Sequence, residues 1–100
     1  MSNSAEAEKI FPRHVDIVRA ALAKALRNLG WQSANGPNGS IAAVWTSPVF
    51  HFKDDVTIVL ASVEKGTRVR ARSKSRVGRY DFGQNAKHIR ELFTEVQKAL

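Results

Sequence analysis

The sequence predicts an α+β fold in which a helix, an antiparallel β-meander of about four strands and a second helix follow one another. Apolar residues recur at spacings of three and four near both ends of the chain, which is the period of an amphipathic helix. The middle of the chain contains short β-type runs bounded by turn residues. A length of 100 residues suits one hydrophobic core. We therefore expect a flexible lead-in over residues 1–10, or a short lead-in strand around Lys9 to Phe11, and a single domain over residues 11–100. Both helices should lie on one face of the sheet.

The first helix is predicted to begin near Pro12, because proline is well tolerated at the first helical position. Its apolar stripe comprises Phe11, Val15, Val18, Leu22, Ala25, Leu26 and Leu29. Gly30 is typical of the glycine that ends a helix, and Trp31 is placed to pack onto the last turn.

The central strands are separated by clear turn signals. Residues 35–39, NGPNG, form a loop by composition. The predicted β-type runs are residues 31–34, 40–47, 49–53, 56–63 and 67–75. Pro48 should interrupt or bulge a strand, because proline cannot donate a hydrogen bond to a β-ladder. Gly66 ends a hairpin-length connection and is free to adopt a positive φ, so the last two runs should pair antiparallel.

The last strand alternates strictly between basic residues and small or apolar ones. Val69, Ala71, Ser73 and Ser75 should face the helices. The opposite set should form a row of cations on the open side of the sheet, here named the basic ladder: Arg68, Arg70, Arg72 and Lys74.

The second helix has its own apolar stripe, which comprises Phe82, Ala86, Ile89, Phe93, Val96 and Leu100. Asp81 and Gln84 are spaced as in a capping box at its start. Asn85 is an alternative capping residue if the helix begins later.

Composition narrows the classes of function. The net charge is +7, and residues 65–90 hold nine basic residues and one acid, so the remainder of the chain carries −1. A local basic field attracts anionic ligands or acidic partner surfaces. There is no cysteine, which excludes disulfides, thiol nucleophiles and thiolate metal sites. No apolar run is long enough to span a membrane and no secretory signal is visible, which favours the cytoplasm unless a leader has been removed.

The strand–turn–helix segment contains the candidate ligand-binding residues. They are Asp55, Arg72, Ser73, Ser75, Arg76, Arg79, Asp81 and Asn85. A nucleotide-binding P-loop is rejected, because Gln84 and Asn85 stand where Lys and Ser or Thr are required. The segment can still hold a phosphate or carboxylate between helix N–H groups and arginines. The alternative is a structural joint, in which Asp81 caps the helix and pairs with Arg76 or Arg72.

Catalysis has little support in the sequence. Asp54 and Asp55 are adjacent, and neighbouring strand residues point in opposite directions, so one of them should pair with an arginine rather than form a catalytic pair. An enzyme built on Asp54, Asp55 and Asp81 with Arg76 stays open as an alternative. His14, His51 and His88 show neither the spacing of metal ligands nor a carboxylate partner pattern. We therefore expect three ordinary histidines, no metal and no cofactor.

Two further partners remain open for the basic ladder. Nucleic acid is less favoured, because stacking modules place aromatics between their cations and only Tyr80 lies nearby. An acidic membrane surface is compatible with the charge. Val59, Ala61 and Val63 should lie beside the arginines, so the open face can also dock a second copy of the chain as a homodimer.

Two segments resemble a known family. FKDDV at residues 52–56 and RSKSRVGRYDFGQNAKHI at residues 72–89 are similar to the signature of the domain of unknown function 1499, whose members occur in bacteria and plastids. The matching positions are Phe52, Asp54, Asp55, Val56, Arg72, Ser73, Ser75, Arg76, Gly78, Asp81, Gly83, Asn85 and Ile89. His88 and Val59 stand where the family often has arginine. The resemblance implies no activity, since the family has none assigned, and many relatives look exported or membrane-attached.

Overall fold

The computed structural model describes residues 3–77 and 83–100. It has an α+β fold with two helices, α1 (Val15–Leu29) and α2 (Gln84–Ala99). The strands are β1 (Ser4–Phe11), β2 (Gln32–Asn35), β3 (Ile41–Thr46), β4 (Lys53–Val63) and β5 (Gly66–Ser75). They form one antiparallel sheet in the order β1-β5-β4-β3-β2, so the sheet has five strands rather than about four.

The additional strand is β1, which lies in the segment predicted to be a flexible lead-in. It pairs with β5 along its whole length, from Ser4 opposite Lys74 to Phe11 opposite Thr67. Only Phe11 of this strand is fully buried, and Glu6 and Glu8 are exposed. A charged edge strand of this kind lacks the apolar alternation by which strands are recognised, because water covers most of its surface.

Strands β2 to β5 follow one another as a meander. The run predicted at residues 49–53 is mostly a turn, in agreement with the interrupting role of Pro48, and β4 begins at Lys53. The predicted β4–β5 hairpin is confirmed. Gly66 has a φ of 141°, and a Cβ atom at this position would collide with the backbone of Phe11 and Pro12. Glycine is therefore required where the hairpin meets the turn between β1 and α1.

Helix α1 begins at Val15, later than the start predicted near Pro12. Phe11 belongs to β1, and His14 occupies the N-cap, where its Nδ1 atom accepts a hydrogen bond from the Asp16 N–H at 3.2 Å. At the other end Gly30 adopts a φ of 74°, as predicted for the glycine that ends the helix. Trp31 is buried directly after it.

One face of the sheet holds the core. The buried apolar residues of α1 and α2 form one hydrophobic cluster with alternate residues of three strands, which are Ala43, Val56, Ile58, Val69 and Ala71. Between these strand residues Thr57, Val59, Arg70 and Arg72 are exposed, so the alternation predicted for the last strand is confirmed. The sheet therefore has a face covered by helices and an open face. Within the described ranges, neither helix has the length and apolar character needed to cross a bilayer.

Candidate functional site

The basic ladder lies on the open face, and its neighbours are set by strand register. Arg70 is opposite Glu8 of β1 and Val59 of β4. Two positions further along β5, Arg72 is opposite Glu6 and Thr57. Lys74 is next, opposite Asp55 of β4. Antiparallel pairing thus places acids from both neighbouring strands beside the cations of β5.

Glu8 neutralises part of the ladder. Its Oε1 atom accepts hydrogen bonds from Arg70 Nη2 at 2.9 Å and from Arg70 Nε at 3.3 Å. The hydrogen bond and charge of Glu8 raise the pKa of Arg70 above its ordinary value. Both side chains are about half exposed, so the pair sets the local charge more than it stabilises the fold.

Arg76 and Asp55 form a second pair at the end of β5. Arg76 Nε lies 2.9 Å from Asp55 Oδ2, and Arg76 Nη2 lies 2.9 Å from Asp55 Oδ1, which is a two-pronged guanidinium–carboxylate contact. The Arg76 N–H also donates to the Lys53 carbonyl at 3.0 Å. The hydrogen bond from Arg76 lowers the pKa of Asp55, and the same contact raises the pKa of Arg76. The two side chains are thus charged and held in one orientation.

A cleft of about 310 Å³ opens between these groups on the open face. Its lining residues are Asp55, Thr57, Arg72, Lys74, Ser75 and Arg76. Among the described residues, Arg72 and Lys74 have no ion-pair partner, although Glu6 and Asp55 lie across from them in register. With three cations and one carboxylate, the cleft carries a charge of +2.

Ser73 and Asn85 lie on the opposite, helix-covered face. Ser73 Oγ donates to Asn85 Oδ1 at 2.6 Å, and Asn85 Nδ2 donates to the Asn3 carbonyl at 2.7 Å. Asn85 Nδ2 is also 3.1 Å from Ser75 Oγ. Asn85, Ser73 and Ser75 are all buried. This network therefore fastens the first turn of α2 to β5 and to the residue before β1, and Asn85 is not available to cap the helix.

His88 and Asp54 form a buried pair beside this network. His88 Nε2 lies 2.9 Å from Asp54 Oδ2, and the two side chains are 1% and 0% exposed. The rings of Trp31 and Trp45 pack against the imidazole, with centroids 5.5 Å and 4.5 Å away. Burial lowers the pKa of His88, and the hydrogen bond to Asp54 opposes this shift without overcoming it.

His88 is the residue that sequence reasoning missed, since it was predicted to be an ordinary histidine without a carboxylate partner. The available signal was the family resemblance, in which residue 88 stands at a position where arginine is frequent. The resemblance implies an arginine at residue 88, which with Asp54 would form a buried ion pair between helix and sheet. In this chain His88 instead makes a buried hydrogen-bonded contact with Asp54 on the helix-covered face.

The predicted site residues are thus divided between two faces. Asp55, Arg72 and Arg76 converge on the cleft, whereas the side chains of Ser73, Ser75 and Asn85 lie beneath α2, and Ser75 also lines the cleft. Asp54 and Asp55 point to opposite faces, so they cannot act as one catalytic pair. Arg79 and Asp81, with the helix cap predicted for Asp81, lie outside the described residues. Within residues 3–77 and 83–100, no three His, Asp or Glu side chains are grouped as metal ligands.

Comparison with known proteins gives one family. The model described as Protein of unknown function (DUF1499) matches residues 2–96 of the 100-residue chain. The search of curated proteins returns no match.

Proposed function

Because the chain belongs to the DUF1499 family of unknown function, we propose its role from its own side chains: it is a non-catalytic binding module for an anionic ligand. The observation that carries the proposal is the open-face cleft, in which Arg72 and Lys74 have no ion-pair partner among residues 3–77 and 83–100 and lie beside the oriented guanidinium of Arg76. The excess positive charge of the cleft favours an anionic ligand.

The chemistry of the lining residues supports a phosphate or carboxylate group. A guanidinium offers paired donors that match two oxygens of such a group, and Lys74 adds a flexible point charge. Thr57 adds a hydroxyl group to the residues that line the cleft. Asp55 occupies one side of Arg76, which fixes the arginine in place before any ligand binds. Such preorganisation reduces the side-chain entropy lost on binding.

The volume bounds the size of the ligand. About 310 Å³ is at the lower end of small-molecule sites. The cleft therefore suits a small anion, or one anionic group of a larger molecule whose remainder stays in solvent.

The proposal is tested by calorimetric titration with pyrophosphate at physiological ionic strength, where the Debye length is about 8 Å. Arg72→Gln should weaken binding about tenfold or more, because it removes one of the cations that line the cleft. Arg68→Gln is the matched control: it removes the same charge from the same strand and face, about 13 Å away at the rise of a β-strand. The control should change the affinity by less than about threefold.

Two results would contradict the proposal. Equal weakening by Arg72→Gln and Arg68→Gln would mean that a diffuse field, and not the cleft, attracts the anion. Unfolding of the double variant Arg72→Ala and Arg76→Ala, followed by circular dichroism, would show that these arginines serve the fold. We expect the double variant to remain folded, since both side chains are on the exposed face.

A further inference from the structure

The turn between β3 and β4 carries large apolar side chains in solvent. Val49 and Phe50 are each 75% exposed, and Phe52 is 38% exposed. These three residues are here named the apolar tip. They contribute little to the core, which contains none of them. Contiguous exposed apolar residues at one place on a surface are uncommon unless they have a binding role.

The turn is built so that the apolar tip stays outward. The Ser47 N–H donates to the Phe52 carbonyl at 2.8 Å, and the Phe52 N–H donates to Ser47 Oγ at 2.8 Å. Pro48 restricts the backbone at the start of the turn, and His51 adopts a φ of 56° near its end, just before β4. The rings of Phe50 and Phe52 stack on each other with centroids 5.7 Å apart. The hydrogen bonds close the turn and keep Val49 and Phe50 from folding back onto the sheet.

Cations surround the base of this turn. Lys53 begins β4, and its carbonyl accepts the N–H of Arg76, so the end of β5 lies beside the turn. Lys74 is on the open face of β5, two residues before Arg76 and opposite Asp55. Val77 follows Arg76 and is 50% exposed. This end of the sheet therefore combines a protruding apolar tip with a basic flank.

We propose that this end of the molecule docks on an anionic lipid surface, with Val49 and Phe50 entering the interfacial region and Lys74 and Arg76 contacting head groups. Aromatic and aliphatic side chains on a protrusion are suited to a yielding lipid interface, whereas a protein partner would have to offer a pocket of matching shape. Basic side chains beside the insertion point supply the attraction to acidic lipids.

The test is co-sedimentation of the full chain with phosphatidylcholine vesicles that contain about one third phosphatidylglycerol. The chain should bind these vesicles and leave pure phosphatidylcholine vesicles free. Phe50→Ser should weaken binding about tenfold or more, since it removes most of the inserted apolar area. Ile17→Ser, at a 41% exposed position on α1, is the matched control and should bind like the original chain.

A second measurement separates insertion from surface attraction. In Phe50→Trp, lipids brominated in the upper acyl chain should quench the added indole beyond the quenching seen in the original chain, whose native indoles are Trp31 and Trp45. Absence of vesicle binding by the original chain overturns the proposal. Binding that Phe50→Ser leaves unchanged overturns it too, because the cations alone would then account for the attraction. Neither tip variant touches the cleft lining, so pyrophosphate binding can fail or succeed independently of this result.

Discussion

His88 lies between two tryptophan rings, and its Nε2 atom is hydrogen-bonded to the carboxylate of Asp54. Its Nδ1 atom has no hydrogen-bond partner among the described residues. A neutral ring that carries its proton on Nε2 donates to Asp54, and among the described residues Nδ1 then has no hydrogen-bond partner. A second proton would be placed on Nδ1 where no described acceptor lies. Burial lowers the pKa of His88. The absence of a described acceptor at Nδ1 likewise favours the neutral ring.

This lowered pKa predicts the pH dependence of stability. The ordinary value is 6.5, so on acidification the unfolded chain takes up the proton first and the folded chain resists it. The free energy of unfolding should be constant above about pH 6.5 and should fall as the pH decreases below it. Urea unfolding at several pH values in this range measures how the free energy of unfolding depends on pH. In the variant His88→Gln, which retains His14 and His51, this dependence should be smaller because residue 88 can no longer titrate. A His88 pKa above 6.5 by NMR would refute the assignment.

Helix α2 shows why an element can be predicted correctly and its buried face incorrectly. Ile89 and Val96 are buried as predicted, but Asn85, His88 and Leu92 are buried with them, while Ala86 and Phe93 of the predicted stripe are only half-buried. A prediction from apolar residues alone places the centre of the buried face too close to Phe93. Asn85 and His88 are tolerated inside because Ser73 and Asp54, on two different strands, satisfy them. Such partners are distant in sequence, so the spacing of apolar residues within the helix does not indicate them.

Strand β1 should weaken anion binding, because its acids Glu6 and Glu8 lie beside the basic ladder. Glu6→Gln with Glu8→Gln removes the counter-charges of β5 and should increase pyrophosphate affinity about threefold or more at low salt. Folding should be retained, since these side chains are exposed. Glu64→Gln with Glu91→Gln, which removes the same charge away from the ladder, is the control. Equal affinity gains in both double variants would show that β1 has no special influence on the cleft.

Across the whole molecule, prediction succeeded where the determining contacts are local. The β4–β5 hairpin, the glycine that ends α1 and the alternation of β5 follow from neighbouring residues. The pairing of β1 with β5, which joins residues more than 55 positions apart, did not follow from them. For the same reason the basic ladder was predicted without distinguishing its cations, although Glu8 pairs with Arg70 while Arg72 and Lys74 have no ion-pair partner in the part of the chain that the structure describes. Charge and resemblance indicated the candidate residues, but their division between two faces depends on strand pairing that those signals do not show.

The position of the cations, and not only their number, should determine the affinity for pyrophosphate. Arg72→Gln with Lys74→Gln and Lys24→Gln with Arg27→Gln each lower the net charge of +7 by two. Lys24 and Arg27 are exposed on α1, on the far side of the sheet. A helix diameter of about 10 Å separates them from the open face, which exceeds the Debye length of about 8 Å at physiological salt. Pyrophosphate affinity at that salt should fall about tenfold in the first variant and less than about twofold in the second. Equal losses would mean that net charge, and not the cleft, governs binding.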